Sequence, residues 1–113
     1  MSQDNAKTFA QFNTYFSTVV ATEHNRILMF KDPVEGKVLP GHVIRTEKVA
    51  NVGSCRKKCF LEPNCESINV GPADHQGQRT CELNNFRDES PSQTKLQEKT
   101  GHIHYSIEVT HYN

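Results

Sequence analysis

The chain contains no tryptophan, and hydrophobic residues make up 35% of its 113 positions, below the roughly 45–50% usual for a globular domain. Its core must therefore be small, and small cores usually need disulfides, metals or partners to hold them. It has no apolar run of the length that crosses a bilayer as a helix. Neither sign of charge is in excess, with 13 basic and 13 acidic residues, so no global field draws the chain to nucleic acid or to anionic membrane. Catalytic signatures are missing too: there is no G-x-S-x-G, no H-E-x-x-H, no phosphate-cradling loop and no close carboxylate pair. Asp74-His75 falls in a polar loop, where such residues are ordinary. Glycosylation sequons are lacking, because Thr14 follows Asn13 one place too early. The opening MSQDNAKTFAQF has neither the basic nor the apolar region of a secretory signal. No repeat and no low-complexity tract divides the chain.

What is present begins with four cysteines. Cys55, Cys59 and Cys65 stand within eleven positions in SCRKKCFLEPNCESINV, and Cys81 follows in TCELNN. A structural zinc site usually shows C-x2-C or C-x4-C pairs across a spacer; here the intervals are three, five and fifteen residues. A redox pair would need C-x-x-C, which is absent. Disulfide staples remain, and they belong to an oxidising compartment. The expectation is a secreted chain whose leader is not part of this sequence, with no cofactor and no metal.

The elements can be read around those cysteines. RILMF (26–30) reads as a strand and DPVEGK as a turn. LPGHVIRTEKV opens on a Pro-Gly turn and continues as a strand. NVGSCRKKCFLEP reads as a short helix capped by Asn51 or Ser54 and ended near Glu62 by Pro63. ESINV and TCELN read as strands joined by the loop 71–79. Residues 87–100 read as an exposed loop, and HIHYSIEVT (102–110) as a strand whose Ile103, Tyr105, Ile107 and Val109 face one way. Residues 1–23, without Cys, Gly or Pro, form a separate N-terminal arm before a domain at 24–113. Phe9, Phe12 and Phe16 suit an amphipathic helix, although the Thr and Val content weakens it; a helix or extended arm packed on the domain is the first expectation, and a loose linker or a partner-binding helix the alternatives.

On such a helix Cys55 and Cys59 sit one turn apart, with Cβ atoms about 5–6 Å from each other, too far for a bond that wants about 3.5–4.5 Å. Two of the three connectivities survive. Cys65, just past the Pro63 turn, is the natural mate of Cys59, which leaves Cys55 for Cys81.

The run LPGHVIRTEKVANVGSCRKKCFLEPNCESINV…CELNN resembles the PAN/apple superfamily. Cys55, Cys59, Pro63, Cys65, Ser67, Asn69, Cys81, Leu83 and Asn84 stand in the order of that pattern, over roughly residues 26–109. The resemblance implies an α+β domain: a small antiparallel sheet of about five strands cradling one central helix, with two nested disulfides. The third disulfide of many apple domains has no cysteines here, as in plainer PAN modules, so closure of the termini must rest on Ile27, Leu28, Phe30, Tyr105, Ile107 and Val109. Ser67 and Asn69 carry over as structural residues. The family is one of extracellular modules that bind proteins or glycans and catalyse nothing.

For ligand contacts the sequence offers Arg56, Lys57 and Lys58 on the helix and Arg79, Phe86 and Arg87 beyond it. Some PAN modules resemble this in using basic residues for sulphated glycans, yet three consecutive residues cannot share one helix face. The loops 71–79 and 87–100 are the expected display surfaces. Only Phe86 and Arg87 approximate the aromatic-plus-polar set of a sugar site, so a protein partner is the stronger expectation and a glycan, or self-association through the arm, the alternatives. His102 and His104 share a strand face, as metal ligands or as plain polar positions opposite the apolar set.

Overall fold

The computed structural model describes residues 26–88 and 95–112, so the N-terminal arm lies outside the described residues. In chain order the elements are β1 (Arg26–Phe30), β2 (Val34–Val38), β3 (Val43–Val49), α1 (Val52–Leu61), β4 (Ser67–Val70), β5 (Arg79–Asn84) and β6 (Gln97–Tyr112). All strand pairings are antiparallel. The sheet runs β1-β6-β4-β5-β3, with β2 also paired to β6. β6 is long enough to pair with β2 through its first half and with β1 through its second.

Alternation divides the sheet into two faces. Ile68 and Val70, Cys81 and Leu83, and Tyr105 and Ile107 are buried in one core with the helix cysteines, and Leu28, Phe30, Val52 and Ile103 pack against it. The helix contributes little apolar surface of its own. Its fully buried residues are Cys55 and Cys59, so sulfur takes the place of the usual hydrophobic stripe. Cys55 is bonded to Cys81 on β5 and Cys59 to Cys65 before β4, with Cα atoms 5.5 Å and 5.3 Å apart. Asn51 Oδ1 accepts from Ser54 N at 2.8 Å and starts the helix, while Glu62 N donates to Cys59 O at 3.1 Å and ends it.

Two segments depart from the sequence reading. VEGKV is a strand, not a turn: Gly36 takes φ 77 at a register shift between Glu35 and Lys37, so the turn-like glycine is a bulge inside the ladder with β6. Residues 97–100 are likewise strand, Gln97 pairing with Val38 and Glu98 with Lys37 of β2.

The second face is polar yet buried. Ser67, Asn69, Asn84, His104 and Ser106 are all buried, and the connection from β2 to β3 is bonded to Asn69. Its Oδ1 accepts from Leu39 N at 2.9 Å, and its Nδ2 donates to Leu39 O at 2.8 Å and to Glu82 Oε1 at 3.0 Å. Leu39 is fully buried as a result. Because Asn69 Oδ1 is an acceptor only, the 2.7 Å contact with His104 makes Nδ1 the protonated nitrogen. Nε2 then accepts from Ser106 Oγ at 3.0 Å. His104 is thus a buried, satisfied histidine rather than a surface polar position. Burial pushes its pKa down to about 4, opposed by Asp88.

Candidate functional site

The polar layer fixes the backbone beside an open cleft of mixed lining. Ser67 Oγ donates to Phe86 O at 2.7 Å and accepts from Asn84 Nδ2 at 3.0 Å. Asn85 N donates to His42 O at 3.0 Å. The His42 and Phe86 rings stack at 4.6 Å, and Lys95 Nζ lies 4.7 Å from the Phe86 centroid. The start of β3 and the segment after β5 are thereby held side by side.

Here β3 breaks step. Val43 pairs with Asn84 and Arg45 with Leu83, which leaves Ile44 without an opposite residue. A bulge of this kind turns a side chain out of the regular alternation. Ile44 consequently lines an open cleft of about 520 Å³ together with Glu62, Pro63, Asn64, Glu66 and Asn85. Val43, Ile44 and Leu61 at the end of α1 are 40%, 42% and 57% exposed, high values for aliphatic residues. Glu62, Pro63 and Asn64 of the cleft lie in the loop closed by Cys59–Cys65.

Ion pairs hold both carboxylates in place. Arg45 Nη1 lies 3.5 Å from Glu62 Oε1, and Asn64 N donates to Glu62 Oε2 at 3.2 Å. Arg87 Nε lies 3.6 Å from Glu66 Oε1, and Arg87 Nη1 donates to Ile107 O at 3.1 Å. Arg45 also meets Glu47 at 3.1 Å, and Lys58 meets Glu47 at 2.9 Å. The hydrogen bond from Lys58, aided by the charges of Lys58 and Arg45, holds the Glu47 carboxyl below its usual range against the effect of desolvation.

The six candidate contact residues are spread over several places. Arg87 and Phe86 border the cleft region. Arg56 stands apart, its guanidinium over the Tyr105 ring at 4.8 Å and the Phe30 ring at 5.9 Å. Lys57 is exposed, and Lys58 is turned to Glu47. Arg79 donates to Gly71 O at 3.0 Å and borders a second open cleft, of about 530 Å³, with Glu35, Glu98 and His102. The loop 71–79 is pinned rather than free: Asp74 Oδ1 accepts from Gln76 N and Gln78 N at 2.8 and 2.9 Å, and Oδ2 meets Lys48 at 3.5 Å. The bond from Gln78 leads the causes that lower the Asp74 pKa. Ile44, Glu62, Asn64, Glu66 and Asn85 were not among the sequence candidates. The available signal was the adjacent pair Val43-Ile44, which breaks alternation inside an otherwise polar strand.

Among the described residues no group of three His, Cys, Asp or Glu could hold a metal ion, and no helix is long and apolar enough to cross a membrane. The four cysteines are all in disulfides.

A single helix stapled by nested bridges into the hollow of an antiparallel sheet defines a small class of domain. The PAN domain profile matches residues 32–109, and the chain belongs to the PAN domain family. Domains of this family mediate protein or carbohydrate interactions and are typically non-catalytic, and both the family and its disulfides are typical of extracellular proteins. No curated protein and no solved structure shows a significant match.

Proposed function

We propose that this PAN domain is a secreted, non-catalytic recognition module that binds a protein partner through the cleft around Ile44. The observation that carries this reading is the β3 bulge, which presents an aliphatic side chain between two anchored carboxylates. An apolar centre with a charged rim is the composition of a protein-binding patch. The scaffold beneath it is rigid, so a partner need not order the site on binding.

A sulphated glycan finds less support. Arg45, Lys58 and Arg87 are ion-paired, Arg56 lies over aromatic rings, and Arg79 is bonded to a carbonyl. A polyanion would have to displace those contacts. The neutral glycan reading draws on the second cleft, where Glu35, Glu98, Arg79 and His102 offer mixed donors and acceptors.

The test is to probe one array of extracellular proteins and one of glycans with the wild type, Ile44→Asp and Arg56→Glu. Protein hits lost in Ile44→Asp and kept in Arg56→Glu support the proposal. Glycan hits alone, unchanged in Ile44→Asp, overturn it.

A further inference from the structure

The cleft around Ile44 has a lining of one chemical kind. Its charged residues, Glu62 and Glu66, are both carboxylates, Asn64 and Asn85 bring amides, and Ile44 and Pro63 are aliphatic. Ile44 is exposed, so an apolar surface is presented beside the two carboxylates. The arginines that meet those carboxylates have nearer partners elsewhere. Arg45 Nε lies 3.1 Å from Glu47 Oε2, against 3.5 Å from its Nη1 to Glu62 Oε1. Arg87 Nη1 donates to Ile107 O at 3.1 Å, against 3.6 Å from its Nε to Glu66 Oε1. Ion pairs of that length between partly exposed groups add little stability. A second cation can therefore join Glu62 and Glu66 without breaking the contacts that fix either arginine. Asn64 N, donating to Glu62 Oε2 at 3.2 Å, ties that carboxylate to the cleft's own backbone independently of Arg45.

A ligand for this lining must be aliphatic along its length and cationic at its end. An anion would meet two carboxylates, and a purely apolar group would take water from them without replacing its hydrogen bonds. Lysine and arginine side chains both have the form, since each lays an apolar stem on apolar surface and carries its charge at the tip. Arginine fits better. Its planar guanidinium has donors along more than one edge, meets carboxylates through paired hydrogen bonds and is more weakly hydrated than an ammonium. Arginine is also enriched in protein interfaces. We propose that the cleft receives an arginine side chain of the protein partner, its methylene stem on Ile44 and Pro63 and its guanidinium on the Glu62 and Glu66 carboxylates. This rests on the reading of the cleft as a protein-binding site and adds the chemistry of its occupant.

The experiment is a nuclear magnetic resonance titration of the isotopically labelled full chain with acetyl-arginine amide, acetyl-lysine amide and acetyl-citrulline amide, the last an uncharged isostere of the first. Wild type is compared with Glu62→Gln/Glu66→Gln. The arginine amide should shift the backbone signals of residues 44, 62, 64, 66 and 85 saturably. It should bind more tightly than the lysine amide and at least about tenfold more tightly than the citrulline amide, and lose that margin in the double variant. The citrulline comparison in the wild type decides the matter even where the variant fails to fold. Arginine and citrulline amides of equal affinity, a lysine amide as tight as the arginine one, or shifts that miss these residues would overturn the inference. Each of those results leaves the cleft to a protein partner of other chemistry. Protein-array hits indifferent to Ile44→Asp overturn the reading of the cleft, and the inference with it.

Discussion

The His104 imidazole sits between Asn69 and Ser106 on the face of the sheet turned away from the helix, 2.7 Å from Asn69 Oδ1 and 3.0 Å from Ser106 Oγ. A charged ring there would add a proton that Ser106 must turn to accept, in a site 1% exposed. Stability should therefore depend on pH through this residue. The unfolded chain binds the proton near the ordinary 6.5, and the folded chain only near 4. Between those values acid favours the unfolded state, so the contribution is complete above 6.5, is lost as pH falls to about 4, and changes no further below. The interval corresponds to about 3 kcal/mol. Urea unfolding across that window should show the decline, and His104→Gln should flatten it. An equal slope in both proteins would contradict the assignment.

Asn69 holds the β2–β3 connection by both backbone groups of Leu39. Asn69→Ala strands those groups and the His104 Nδ1 proton in a dry site, and should cost about 2–4 kcal/mol. A midpoint shift in urea of less than about 1 kcal/mol equivalent would show that water replaces the amide.

The two disulfides should differ in worth. The Cys55–Cys81 bridge closes a separation of 26 residues and Cys59–Cys65 one of 6. Loop-closure entropy assigns them about 3.5 and about 2 kcal/mol. Replacing each pair by serine and measuring thermal unfolding should rank Cys55/Cys81 as the greater loss; the reverse order would place strain or residual structure above chain entropy.

Asn51→Ala removes the acceptor for Ser54 N and should destabilise by about 1 kcal/mol. Asn51→Asp keeps the cap and should be close to neutral. The pair of midpoints checks it.

The sequence made some of this legible and hid the rest for identifiable reasons. β1 and α1 could be read because RILMF is bounded by polar residues and because Asn51 and Pro63 punctuate the helix at both ends. β2 was misread because Glu-Gly looks like a turn, and only pairing with a distant strand makes Gly36 a bulge. His104 looked like a surface residue because alternation reports which face a side chain takes, not whether that face is buried. Its neighbour Asn69 is bonded to Leu39, thirty positions away. The cleft was hidden for a related reason. Ile44 leaves its expected direction at a bulge, and its neighbours Glu62, Glu66 and Asn85 come from three other segments. Sequence alone does not show the partners that Arg56, Lys58, Arg79 and Arg87 meet in the fold.

Hydrogen-exchange footprinting of the domain bound to a protein hit from the array tests the proposed recognition face most directly. Protection confined to residues 43–45, 62–66 and 85, with the 56–58 and 71–79 backbone unchanged, is the predicted outcome. A footprint on the helix basic residues or on the 71–79 loop, with the Ile44 region still exchanging freely, would contradict the account.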